Sequence, residues 1–355
     1  VKLTVILFNL GGPSAPEEIE PFLYNLFSDP AILSLPGFVR LPLARLIAKR
    51  RAPVARAIYA KIGGRSPILP ETEAQARALE RALAARGHDA RAFIAMRCSR
   101  PGAREAAVAA KAWGPDRIVL LPLYPQYSTT TTASSLADWR DCAAKAGLAV
   151  PQSGICCYPE DDGFIAAMAA AIAKARAGAR HDLSYRLLLS AHGLPERVIA
   201  KGDPYRAQVE RSAAAIAAAI GEPGLDWQVC FQSRVGPMKW IGPATDAEIV
   251  RAGADGKGVI VAPIAFVSEH SETLVELDIE YRALAERSGV PDYRRASTVG
   301  CDPRFIEGLA QLVEQALGCG GVSGPGGTRL CPAGTGACGF VAGGFEGGQI
   351  LGDRR

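Results

Sequence analysis

Charge of one sign is almost missing as a surplus: 40 Lys and Arg stand against 36 Asp and Glu, a net of +4. So even a balance does not suit a protein that lives by neutralising a phosphate backbone, and nucleic acid is excluded as a first guess at a partner. No apolar run reaches the roughly 18–20 residues that spanning a bilayer requires. The opening VKLTVILFNLGG reads as a strand and lacks the basic start, apolar core and small-residue cleavage pattern of a secretory signal. No pair of cysteines or histidines has the spacing of a tetrahedral zinc site. Nine cysteines scattered over 355 residues are an odd count that does not fit a secreted disulfide framework. The expectation is a cytoplasmic protein with reduced thiols, in contact with the inner membrane at most peripherally.

What is present is an alternation. Short β-rich runs recur at Leu3–Phe8, Ala92–Met96, Arg117–Leu123, Gly154–Tyr158, Tyr185–Ser190, Trp227–Phe231 and Gly258–Phe266, separated by Ala-rich segments with helical spacing such as Glu71–Ala85, Tyr205–Ile220 and Thr273–Arg287. Strands alternating with helices predict α/β architecture with parallel sheets covered on both faces. Continuous apolar strands such as GVIVAPIAF say the same, because parallel strands are buried on both sides. The alternation runs twice, which predicts two doubly wound, Rossmann-like domains, 1–150 and 151–317. Beyond them 14 of the 38 glycines crowd into residues 318–355, a tail expected to be loop or disordered. The segment Phe38–Arg51 mixes apolar residues with five basic ones. It suits either a surface helix or the lip of a site touching a membrane.

In doubly wound sheets ligands bind beyond the carboxyl ends of the strands. Those positions hold Leu10-Gly-Gly-Pro13, Arg97, Tyr124 to Tyr127, His192, Gln232-Ser-Arg234 and a cluster from Glu269 to Glu280. The LGGP turn lacks the later glycines of a dinucleotide fingerprint, and its proline removes a donor that a phosphate would need. Of only four histidines, His88 and His181 read as solvated loop residues, whereas His192 and His270 each follow an apolar strand directly. Glu272, Glu276 and Glu280 are spaced to form one line of carboxylates on a helix, where like charges repel by about 0.2–0.5 kcal/mol per pair. Such a line leading to a histidine suits a path for cations or protons. One imidazole and one carboxylate would hold a divalent ion loosely, as suits a metal that is handed over.

At these residues the chain resembles the ferrochelatases, which insert ferrous iron into protoporphyrin IX to form haem. The resemblance runs to about residue 317 and rests on LSAHGLPERVIAKGDPY (189–205), CFQSRVGPMKWIGP (230–243), PIAFVSEHSETLVELDIEY (263–281), LYPQYSTTTTASSL (123–136) and AKRR…YAKIGGRSPI (48–68). It implies two similar four-stranded domains with a porphyrin cleft between them. It implies His192 as catalytic base and metal ligand, with Glu272 as partner and iron or proton relay, and an acidic ridge of Glu272, Glu276 and Glu280 on a π-helical turn with His270 beside it. Porphyrin-packing positions fall on Leu10, Leu26, Phe27, Ile32, Trp240 and Phe266. Polar and inner-site contacts fall on Arg51, Tyr59, Ser66, Arg97 and Tyr124.

The chain departs from the family at MRCSRP (96–101), where Arg100 stands in place of a histidine. No cofactor is expected to be required, iron being substrate. Some members carry a [2Fe–2S] cluster on C-terminal cysteines, and the resemblance leaves that open here with Cys319, Cys331, Cys338 and one further thiol, Cys142 or Cys157, since Thr129 occupies the position of the fourth ligand in animal members. Alternatives are a coproporphyrin or cobalt chelatase of the same fold, or a two-lobed tetrapyrrole carrier.

Overall fold

Apolar runs without alternation fold here as strands enclosed on both faces, β-branched residues filling the pleat from either side. The computed structural model describes residues 1–234 and 238–342. In chain order its strands are β1 (Lys2–Asn9), β2 (Asp89–Met96), β3 (Arg117–Pro122), β4 (Gln152–Ile155), β5 (Tyr185–His192), β6 (Trp227–Gln232), β7 (Gly258–Pro263), β8 (Tyr293–Arg295), β9 (Gly321–Ser323) and β10 (Val341–Ala342). The chain divides into two units. The first is Val1–Tyr158 with Ile306–Ala333 and the described residues from Cys338 on; the second is Pro159–Phe305 with Gly334–Ala337.

The first unit holds a sheet of order β10-β9-β4-β3-β1-β2, parallel except for the antiparallel β10–β9 pair. This corrects two expectations. Residues 152–155, expected in the second domain, join the first sheet because β4 pairs with β3, Ile118 beside Gln152. The tail, expected as loop, supplies β9: Gly321 pairs with Ser153 and Val322 is buried to 1% exposure against the core. Glycine density concealed a short strand that one apolar side chain anchors. The sheet therefore has six strands instead of four. Residues 343–355 of the tail lie outside the described residues.

Two helices follow β1 in sequence, α1 (Ile19–Ser28) and α2 (Gly37–Ala60). Of α2, only Ala44, Ala48, Ala52 and Tyr59 are buried, a single stripe at helical spacing. Phe38, Leu41, Leu46 and Val54 are exposed on it, as are Lys49 and Arg50. Among the described residues no helix is long and apolar enough to cross a membrane.

The second unit holds a parallel sheet of order β6-β5-β7-β8. Register brings His192 beside Gln232 and Ser190 beside Pro263. The carboxyl ends of β5, β6 and β7 are thus neighbours. The helix Tyr205–Ile220 has the bounds its spacing predicts. The stretch expected as helix from Thr273 to Arg287 is instead a π-helix, Glu272–Glu280, followed by an α-helix, Tyr281–Arg287.

Candidate active site

In the second unit three strand ends supply the polar cluster. His192 closes β5, and its backbone carbonyl accepts the Tyr205 hydroxyl at 3.0 Å. The next residue must be small: a Cβ on Gly193 would lie 2.9 Å from the Gln232 carbonyl oxygen and 3.4 Å from Trp240 Cε3. Trp240 pairs as a single antiparallel bridge with Pro195 and so stands beside this corner. Past β7 the chain turns through Phe266, whose ring centroid is 4.5 Å from that of His270, and enters the π-helix at Glu272.

His192 Nδ1 meets Glu272 Oε2 at 2.8 Å. His270 Nε2 lies 3.9 Å from the same oxygen. Ser233, just past β6, donates its hydroxyl to Glu272 Oε2 at 3.0 Å, and the same hydroxyl is bonded to Glu276 Oε2. Its backbone N–H reaches Glu276 Oε1 at 2.8 Å, and Tyr281 Oη reaches that oxygen at 3.0 Å. Ser233 has a φ of 60°, the left-handed region that a residue with a Cβ adopts at a cost of order 1–3 kcal/mol. That conformation is what aims both its donors at the two glutamates. Gln232 completes the set, its amide donating to the Glu272 carbonyl and to Glu276 Oε2.

Burial works against charge on Glu272, but the His192 and His270 rings and the Ser233 hydroxyl outweigh it and hold the carboxyl at about 2. Burial likewise opposes protonation of His192, yet the Glu272 and Glu276 carboxylates raise the ring above its ordinary 6.5. His270 goes the other way, because burial outweighs its acidic neighbours. Glu276 is raised by burial and then by the charge on Glu272. A carboxylate that accepts from Nδ1–H leaves Nε2 as the basic nitrogen whenever the ring is neutral. An imidazole oriented by a partly buried carboxylate is an arrangement that general-base chemistry can use.

The ridge expected as one line is only partly assembled. Glu272 and Glu276 share Ser233, while Glu280 is exposed at the end of the π-helix. His88, expected as a solvated loop residue, is tied to Glu314 at 3.1 Å. Gln232 and Ser233 stand among the strand-end positions the sequence marks out, though with no role attached, whereas Tyr205 and Tyr281 are not marked out by the sequence. For the first two, a place one step past a strand was the available signal.

In the first unit Leu10, Leu26 and Phe27 are half-buried against one apolar cluster that includes Phe22, Leu23 and Tyr59. Arg51 is exposed on α2 with its guanidinium 5.7 Å from the Phe27 ring centroid. Ile32 is half-buried in the loop after α1. Ser66 is buried where LGGP turns: its N–H donates to the Pro13 carbonyl, and a Cβ on Gly12 would lie 2.7 Å from its own. Arg97 is held by Asp29 at 2.8 Å and Ser134 at 2.7 Å, and lines a cavity of about 310 Å³ with Asn25, Asp29, Cys98 and Asp138. Tyr124 is buried beyond β3, with its hydroxyl pushed up by that burial.

Of the cysteines considered for a cluster, Cys331 and Cys157 are buried and Cys142, Cys319 and Cys338 half-buried, none in a disulfide. Among the described residues no three His, Cys, Asp or Glu are gathered as a metal-holding group.

The ferrochelatase family model matches residues 2–317. The ferrochelatase of Phenylobacterium zucineum is 56% identical over 346 residues, covering 97% of this chain and 99% of its own. That of Caulobacter vibrioides strain NA1000 / CB15N is 54% identical over 319 residues, covering 89% of this chain and 91% of its own. Among solved structures, the sirohydrochlorin chelatase SirB from Bacillus subtilis subspecies spizizenii in complex with cobalt superposes with a TM-score of 0.51, over 89% of this chain and 95% of its own, at 13% identity. That last likeness shows the fold.

Proposed function

Because the chain belongs to the ferrochelatase family, lyases that insert ferrous iron into a porphyrin to make haem, we propose that it acts on protoporphyrin IX with His192 as base and Glu272 as its partner. Iron cannot enter a porphyrin whose inner N–H groups block the centre, so two protons must leave. His192 Nε2 takes them in turn while Glu272, bonded to Nδ1, fixes the tautomer and steadies the imidazolium that forms. Glu272 then ligates iron or passes the proton on to Ser233 and Glu276, with Glu280 at the outer end of that path and His270 beside it. The observation that carries this reading is the 2.8 Å contact between His192, at the end of β5, and Glu272, at the start of the π-helix that follows β7.

In the same reading Leu10, Leu26, Phe27, Ile32, Trp240 and Phe266 pack the macrocycle, and Arg51, Tyr59, Ser66, Arg97 and Tyr124 meet its polar groups or inner face. Large apolar side chains against the ring use binding energy to pucker it toward the incoming metal. The exposed apolar residues of α2, with Lys49 and Arg50, suit peripheral contact with an anionic membrane on the cytoplasmic side, where an apolar porphyrin would arrive. The test is anaerobic mixing with ferrous iron and protoporphyrin IX, then with coproporphyrin and with cobalt. The reading expects haem formation fastest with the first pair; faster turnover of coproporphyrin or cobalt would reassign the substrate within the family.

A further inference from the structure

β8 contributes no residue to the site, yet it is fastened to the π-helix at two successive positions. Tyr293 Oη donates to the Leu277 carbonyl at 2.8 Å, and Arg295 Nε donates to Asp278 Oδ1 at 2.8 Å. Tyr293 and Arg295 stand two apart on the strand and so share a face. The same guanidinium also reaches the segment before the helix: its NH1 donates to both oxygens of Glu269, at 2.9 and 3.1 Å. Glu269 immediately precedes His270 and is further held by the Thr298 N–H at 3.0 Å. The Arg295 and Glu269 side chains are only 12% and 15% exposed. One enclosed cation thus spans the stretch that carries His270, Glu272 and Glu276.

We propose that Arg295 is a positioning residue of the chelatase site: by holding Glu269 and Asp278 on one planar guanidinium it sets the register of the π-helix, and hence the point from which Glu272 meets His192. The residues between β7 and the π-helix belong to no strand; the helix start is held locally by the His270 carbonyl, which accepts from the Leu274 N–H at 2.9 Å, and by the Thr273 hydroxyl, which accepts from the His270 N–H at 3.0 Å, and Arg295 adds the tie across to β8. π-Helical turns are rare and need support from their surroundings. The fork of an arginine can hold two carboxylates in a set geometry, whereas a lysine ammonium is a point charge on a flexible stem. A catalytic hydrogen bond such as His192 to Glu272 tolerates about 0.5 Å of error, and about 1 Å of misplacement can cost 100-fold in rate. A clamp remote from the chemistry can therefore govern turnover without touching substrate.

The inference rests on the reading of His192 and Glu272 given above, and its test leaves both in place. Asp278→Asn weakens the arm on the helix and keeps the pair with Glu269; Arg295→Lys keeps the charge and loses the fork. Each is assayed in the full chain for haem formation with iron and porphyrin varied separately, for porphyrin affinity by fluorescence quenching, and for thermal unfolding. The expected result is a kcat lower by about tenfold or more in both, unchanged porphyrin affinity, and more activity in Arg295→Lys than in Arg295→Met. A smaller fall in Asp278→Asn overturns the proposal whatever the melting temperature, because the clamp is then structural only. Should Arg295→Lys fail to fold, Asp278→Asn decides alone. His192→Ala tests the reading of the site itself, so the two can fail separately.

Discussion

His192 and Glu272 each move the other's proton affinity, and with His192 as the proposed base this sets how activity is expected to depend on pH. The carboxylate raises the ring above 6.5, against the effect of burial. A base acts only when neutral, so turnover rises as pH passes upward through the raised pKa and is lost below it. The acid limb of kcat/KM is expected above 6.5. In Glu272→Gln the charge that favours the imidazolium is gone, and burial then dominates. An NMR titration of His192 should give a lower pKa in that variant than in the parent; an equal or higher value would mean that Glu272 does not govern the ring. Turnover in Glu272→Gln should also fall, since an amide keeps the shape but accepts no proton.

The π-helix is where the site departs most from what helical spacing predicts. With i→i+5 bonding it places Glu272 and Glu276 on one serine while Glu280 stays exposed. If Glu276 serves delivery, Glu276→Gln raises the apparent KM for iron and leaves porphyrin affinity unchanged. Steady-state kinetics with every constant within about twofold, or about 0.4 kcal/mol, would make Glu276 a buried bystander. Tyr293→Phe removes the hydroxyl that the Leu277 carbonyl accepts from and should destabilise the chain by about 0.5–1.5 kcal/mol in denaturant unfolding. An unchanged midpoint would show that water replaces the hydroxyl.

His192, His270 and Glu272 were legible in the sequence because each follows an apolar strand, and strand ends in parallel sheets are where ligands bind. Ser233 was legible only as a strand-end residue beside Gln232 and Arg234; its conformation was not, because nothing in a sequence announces a left-handed serine. The register between β5 and β6 that makes it useful is a long-range fact. Arg295 was hidden for the same reason: its two partners lie 26 and 17 residues away.

At the level of the chain, the double alternation of strand and helix predicts two parallel sheets, and two are present, one of them with an antiparallel pair added at its edge. What spacing could not supply was the return of the C-terminus, since β9 gains its place from pairing with β4 and not from its own three residues. The exposed face of α2 makes a prediction about location. Arg40 is folded back on the Ser28 and Leu35 carbonyls, so Lys49 and Arg50 are the better charges to reverse. Flotation with anionic vesicles should carry the parent protein upward, and Lys49→Glu with Arg50→Glu should leave it at the bottom. Equal recovery of both would reject membrane contact through this helix.

Whether His192 removes the porphyrin protons is decided by a single-turnover experiment. Protoporphyrin IX is bound to the His192→Ala variant, ferrous iron is added without oxygen, and the haem absorbance is followed. The expected result is porphyrin binding like that of the parent and haem formation slower by about 10²–10⁴-fold, the usual contribution of a general base. Haem appearing at the parent rate in that variant would contradict it.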